Sequence, residues 1–60
     1  MTDALLELAA GEFVESFGNE APPVLYGRAE RAEQYGHAVA AQTWRDIADV
    51  AERILGELTE

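Results

Sequence analysis

Residues 38–58 read AVAAQTWRDIADVAERILGEL and decide the fold. Successive side chains of an α-helix are about 100° apart, so this stretch divides into an apolar side and a charged side. The apolar side consists of Ala40, Ala41, Trp44, Ile47, Ala48, Ala51, Ile54, Leu55 and Leu58. The charged side consists of Arg45, Asp46, Asp49, Glu52 and Arg53. The apolar side covers about half of the helix, which is more than one neighbouring helix covers, so we expect this helix to contact two neighbours.

The N-terminal part of the chain predicts a second amphipathic helix over residues 3–17. Thr2 or Asp3 can cap it, because short polar side chains accept hydrogen bonds from the first free N–H groups of a helix. Two aliphatic residues, Leu8 and Val14, lie outside its apolar face. That face carries Leu6, Ala9, Ala10, Phe13 and Phe17.

Residues 18–23 read GNEAPP and are expected to separate this helix from the next. Gly18 and Asn19 favour a helix end, because both residues tolerate the left-handed conformation. Pro22 and Pro23 each bias the preceding residue towards an extended conformation. The sequence therefore predicts a connector over residues 20–23 and a new helix that starts at residue 24.

The helix over residues 24–35 ends at an ambiguous point, Gly36. If Gly36 ends the helix, the chain is an all-α three-helix bundle with helices over about 3–17, 24–35 and 38–58. If Gly36 is tolerated within a helix, residues 24–58 form one long rod. The fold is then a two-helix hairpin that dimerises into a four-helix bundle. The spacing of apolar residues allows both arrangements, and the usual length of helices favours three.

Composition describes one small acidic domain spanning residues 1–60. The chain has twelve acids, four arginines and no lysine, for a net charge of −8 and a pI near 4.3. This charge repels phosphates and anionic lipids, so we expect no nucleic-acid partner and no membrane partner. The N-terminal residues lack the positive charge of a signal peptide, so a cytoplasmic location is expected. Arginine without lysine, beside abundant alanine, is typical of GC-rich bacterial genomes.

Small size and the absence of cysteine favour self-association. A 60-residue domain buries only about 60% of the surface that its unfolded chain exposes, and this chain has no disulfide or thiolate metal site to stabilise it. We therefore expect a homo-oligomer, with a dimer favoured. Candidate core or interface residues are Leu6, Phe13, Phe17, Trp44, Ile47, Ala51, Ile54 and Leu58. Trp44 is foremost among them, because tryptophan is enriched both in cores and at interface hot spots.

The sequence offers no catalytic pattern. His37 is the single histidine, and the nearby hydroxyl of Thr43 is six positions away. Glu33 and His37 could share a metal ion on a continuous helix, but a metal site needs more ligands. We therefore expect neither an enzyme nor a cofactor.

The sequence favours a protein–protein interaction module that self-associates. An exposed apolar stripe formed by Leu8, Val14 and Val50 could then carry a partner. The alternative is an acidic inhibitor, resembling an antitoxin or mimicking nucleic acid, that binds a basic groove on a partner protein. Its basis is that residues 1–27 contain five acids and no basic residue.

Overall fold

A computed structural model describes residues 3–58 and shows an all-α protein with no strand among those residues. The helices are α1 (Ala4–Phe17), α2 (Ala21–Gln34) and α3 (Ala38–Leu58), with a 3₁₀ turn (Gly18–Glu20) between α1 and α2. Thus α1, the 3₁₀ turn and α2 form one kinked helical segment of 31 residues, and α3 is a second helix of 21 residues. The predicted all-α class is confirmed, and the first two of the three expected helices are joined as one kinked helical segment.

The caps of α1 explain where it begins and ends. The Asp3 carboxylate accepts a hydrogen bond from the Leu5 N–H at 2.9 Å, so Asp3 is the N-cap, and Thr2 lies outside the described residues. Gly18 has a φ of +57°, and its N–H still donates to the Val14 carbonyl. The positive φ redirects the chain at this point, which is the expected role of Gly18.

The connector predicted over residues 20–23 is wrong. Helix α2 begins at Ala21, and Pro22 and Pro23 lie in its first turn. The first N–H groups of a helix have no partner within the helix, so proline loses nothing there, and its fixed φ suits the helical conformation. This advantage outweighs the bias that each proline places on its predecessor, since Ala21 is itself helical, with φ −57° and ψ −50°.

The kink at Gly18 makes the molecule short. A straight helix of 31 residues would be about 46 Å long at 1.5 Å per residue. The longest dimension of the protein is 37 Å. The kink therefore allows both α1 and α2 to pack on α3, whereas they contact each other much less. The expectation that residues 38–58 contact two neighbours is confirmed.

The break predicted at Gly36 is confirmed, and the alternative rod over residues 24–58 is wrong. Gly36 has a φ of +81° and follows the last residues of α2. Its N–H donates to the Glu33 carbonyl at 2.9 Å, and the His37 N–H donates to the Ala32 carbonyl at 2.8 Å. This pair of hydrogen bonds is the Schellman motif, which satisfies the free carbonyls at a helix end and reverses the chain.

The interior is built almost entirely from alanine. Its only large side chain that is fully buried, among residues 3–58, belongs to Leu25. Ile47 is 7% exposed. The other buried residues are Pro22 and seven alanines: Ala10, Ala21, Ala29, Ala32, Ala41, Ala48 and Ala51. Small side chains let helices approach closely, but burying one methyl group contributes about 0.8 kcal/mol, against about 1.5–3 kcal/mol for a large aliphatic side chain.

The reversal of chain direction at Gly36, after α2, leads to a first prediction. We expect Gly36→Ala to lower the free energy of unfolding by about 1–2 kcal/mol, because a residue with a Cβ is strained at a φ of +81°. The measurement is chemical denaturation followed by circular dichroism at one fixed protein concentration. Gly11→Ala is the matched control: Gly11 lies inside α1 with no atom near the added Cβ, so this change should stabilise by about 1 kcal/mol. Equal effects of the two substitutions would contradict the assigned role of Gly36.

Candidate interaction surface

One face of the protein combines aromatic rings with arginine side chains. It is formed by Phe13, Phe17, Arg28, Arg31, Tyr35 and Trp44, and we call it the aromatic–arginine face. It draws on all three helices: α1 supplies the phenylalanines, α2 supplies the arginines, and α3 supplies Trp44, while Tyr35 is the C-cap of α2.

Arg28 is at the centre of this face. Its guanidinium carbon lies 5.4 Å from the ring centroid of Phe13 and 5.4 Å from that of Trp44. The two rings are themselves in edge-to-face contact, with centroids 6.1 Å apart. A cation at this distance is attracted to the electron-rich faces of the rings. Arg28 therefore joins α2 to both of the other helices.

Three shallow grooves run along the aromatic–arginine face, and Arg28 lines all of them. The first, of about 200 Å³, extends to Glu12 and Ser16 of α1. The second, of about 410 Å³, lies beside Val24 and Gly27. The third, of about 230 Å³, lies between Arg31, Tyr35 and Trp44. Such a surface offers apolar contact and fixed positive charge together, as interface hot spots do.

The aromatic side chains of this face are only partly covered. Tyr35 is 72% exposed and Phe17 is 42% exposed, although Phe17 stacks on Phe13 with centroids 5.7 Å apart. Phe13 and Trp44 pack against the core and are half-buried. Large rings are thus left in contact with solvent, while alanine fills the interior.

The arginines divide into two groups. Arg45 of α3 forms an ion pair with Glu33 of α2, and Arg53 of α3 forms one with Glu7 of α1 at 3.0 Å. By contrast, Arg28 and Arg31 form no ion pair among residues 3–58. The positive charge that remains without an acidic partner is therefore concentrated on the aromatic–arginine face.

A second exposed surface follows the outside of α1. Leu5 is 74% exposed and Leu8 is 61% exposed, and the exposed residues Glu12 and Glu15 continue the same line. The spacings of three, four and three residues place these four side chains along one side of the helix. We call this surface the outer strip of α1.

The structure separates the residues predicted from sequence as core or interface. Ile47 and Ala51 are buried, and Leu6, Phe13, Trp44 and Ile54 are half-buried against the core. Phe17 and Leu58 are exposed, Leu58 by 71%. The buried positions suit core residues, and the exposed positions suit interface residues. The role of each residue at an interface stays a prediction.

The exposed stripe predicted from Leu8, Val14 and Val50 is wrong for the two valines. Both pack against the core. Val14 lies one turn after the buried Ala10, through which α1 contacts α3, so it is drawn into the same interface. Only Leu8 is exposed as expected.

Two polar contacts between helices could not be read from the sequence. Arg53 forms an ion pair with Glu7 of α1, although Asp49 and Glu57 lie four residues before and after it in its own helix. Asp49 instead accepts a hydrogen bond from the Tyr26 hydroxyl at 3.0 Å, and Glu52 lies 3.1 Å from the same oxygen.

We call Tyr26, Asp49 and Glu52 the Tyr26 cluster, and their contacts raise the pKa of the tyrosine. The hydrogen bond to Asp49 is the largest cause, and loss of solvation and the second carboxylate add to it, so the pKa of Tyr26 is raised to about 12. Both carboxylates favour the neutral phenol, because a phenolate would lose the shared proton and repel them.

The other polar residues considered as metal-binding or catalytic candidates do not form a site among residues 3–58. Helix α2 ends at Gln34, before His37, and Glu33 pairs with Arg45, so the proposed Glu33–His37 metal pair does not form. Within residues 3–58, no group of three or more potential metal ligands is present. The Thr43 hydroxyl donates to the Val39 carbonyl at 3.1 Å.

Comparisons with protein-family models, with curated proteins and with solved structures found no match to this chain. None of the helices described here is long and apolar enough to span a membrane.

The Tyr26 cluster can be tested by alkaline titration. Below pH 10 the hydroxyl is protonated in both folded and unfolded chains, so its hydrogen bond contributes fully to stability. That contribution is lost as the pH rises through about 12, the raised pKa. We expect tyrosinate absorbance to show one tyrosine ionising near pH 12, and Tyr26→Phe to remove that step. Asp49→Asn should lower its pKa towards 10, whereas a folded protein with no tyrosine titrating above pH 11 would contradict the cluster.

The contacts of Arg28 with the rings of Phe13 and Trp44 lead to a separate prediction. We expect Arg28→Gln to lower the free energy of unfolding by about 1 kcal/mol, because two cation–ring contacts are lost. The fluorescence of Trp44, the only tryptophan, should change at the same time. The control is Arg31→Gln, which removes the same charge from a residue with no cation–ring contact among those described, and both variants are compared at a protein concentration low enough to keep the chain monomeric. Equal destabilisation by the two substitutions would contradict the stacking.

Proposed function

We propose that this chain is a non-catalytic protein–protein interaction module that self-associates through its aromatic–arginine face. The smallest assembly is a dimer, in which each copy covers the exposed rings of the other. The observation that carries this proposal is the distribution of side chains: alanine fills most of the interior, while Tyr35 is largely exposed and Phe17 is partly exposed.

The energetic argument starts from the small core. Seven of the ten buried residues are alanines, whose burial contributes little free energy per residue. Each exposed ring is therefore a large apolar area that the monomer leaves unburied. Covering Phe17, Tyr35 and the exposed parts of Phe13 and Trp44 would add the kind of burial that the monomer lacks. Association linked to folding in this way stabilises the native chain as its concentration rises.

The composition of the face supports protein contact in particular. Aromatic residues and arginine are enriched at protein interfaces, and a half-buried tryptophan beside an arginine is typical of a hot spot. A second copy packed on this face would also cover helix surfaces that the small monomer leaves exposed to solvent.

The acidic inhibitor is supported by a different surface. Glu12, Glu15 and Glu20 are exposed, and no arginine lies in the first 27 residues. A partner bound through these acids would be released by salt, whereas contacts made by the aromatic rings would persist. The two candidates therefore differ in the solution mass of the protein alone and in the salt dependence of any complex.

The proposal is tested by measuring solution mass. We expect size exclusion with light scattering to show a dimer that dissociates on dilution. The double variant Phe17→Ser/Tyr35→Ser should weaken the dimer about 100-fold, because truncating an aromatic hot spot typically costs at least tenfold. Val39→Ser is the matched control, since Val39 is 83% exposed but lines none of the three grooves. A wild-type monomer at every concentration would overturn self-association and leave the acidic inhibitor as the better candidate.

A further inference from the structure

We propose that the dimer is reciprocal: the outer strip of α1 in each copy binds the aromatic–arginine face of the other copy. This arrangement rests on the proposed self-association and specifies which surfaces meet. Glu12 and Glu15 of one copy would lie against Arg28 and Arg31 of the second copy, while Leu5 and Leu8 would cover exposed rings.

The first argument is complementary charge. In a chain of net charge −8, Arg28 and Arg31 are the arginines without an ion pair among the described residues. The partner surface that best fits them is acidic, and the outer strip supplies two exposed carboxylates, Glu12 and Glu15. In a reciprocal dimer this gives four arginines opposite four glutamates, so the charges of both surfaces are matched.

The second argument is the chemical pattern of the strip. Leu5 and Leu8 are among the most exposed large aliphatic residues, and they are followed by the two glutamates on the same side of α1. An amphipathic helix with apolar anchors three residues apart is the usual ligand of an apolar groove. The grooves of the aromatic–arginine face have the matching combination of ring surface and positive charge.

The third argument is continuity. The groove of about 200 Å³ is lined by Glu12 of the outer strip and also by Phe13, Phe17 and Arg28 of the aromatic–arginine face. The two surfaces are therefore adjacent parts of one patch. A two-fold interface needs such a self-complementary patch, because each copy presents the same residues to the other. A two-fold axis near this groove would place the outer strip of α1 in each copy against the aromatic–arginine face of the other copy.

The size of the patch is also suitable. A stable interface buries about 800 Å² from each partner, which is about one fifth of the 4241 Å² exposed by this chain. The outer strip runs along α1 from Leu5 to Glu15, and the aromatic–arginine face spans all three helices, so together they form an extended surface.

The test is a charge exchange between two variants. The strip variant is Glu12→Arg/Glu15→Arg, and the face variant is Arg31→Glu, which leaves the ring contacts of Arg28 intact. Each variant alone should dimerise at least about tenfold more weakly than the wild type, because like charges would face each other. An equimolar mixture should form a heterodimer more tightly than either variant self-associates, since opposite charges meet again. Native mass spectrometry and light scattering distinguish these species.

The matched control is Glu30→Arg/Glu57→Arg. It changes the net charge by the same amount as the strip variant, at exposed positions outside both surfaces. We expect it to dimerise at least as well as the wild type. If the control and the strip variant weaken the dimer equally, or if the mixture shows no preference for the heterodimer, the reciprocal arrangement is overturned while self-association stands. A monomeric wild type would overturn both proposals.

Discussion

The close contact between α2 and α3 is the constraint on which the rest of the structure depends. Alanines on both helices have small side chains, so the two backbones can approach closely. Leu25 and Ile47 fill the space that remains. Close approach brings the outer residues of the two helices within reach of each other, so Tyr26 contacts Asp49 and Arg45 contacts Glu33. The same closeness limits how much apolar surface the interior can bury, and no aromatic residue is among the buried residues of 3–58.

This constraint explains why aromatic side chains are at the surface. Phe13 and Trp44 are held at the edge of the core, where α1 meets α3, and Arg28 covers part of both rings. Stacking of a guanidinium on two rings shields them from water and also keeps a positive charge in place. In the proposed dimer, a surface held in this way would need fewer of its side chains to be ordered on binding.

Much of the fold could be predicted from the sequence, and the errors have identifiable causes. The apolar period of residues 38–58 predicts α3 to the residue, and Gly36 identifies the reversal. The connector predicted over residues 20–23 is wrong because proline, which disrupts a helix interior, is accepted in the first turn of α2. The ion pair of Arg53 could not be predicted, because a helical period within one segment does not reveal which residue of another segment lies opposite. The importance of Arg28 was missed for the same reason, yet a signal existed: Arg28, Arg31 and Tyr35 follow one side of α2 at helical spacing.

The role of α3 as the shared neighbour of α1 and α2 has a consequence for synthesis of the chain. The two earlier helices contact each other little, and the buried residues of both rest on alanines and Ile47 of α3. A nascent chain that ends before residue 38 therefore has helices but no core to hold them together. The core residues of α1 and α2 can be buried only when α3 has been made, so tertiary folding must wait until α3 has emerged from the ribosome.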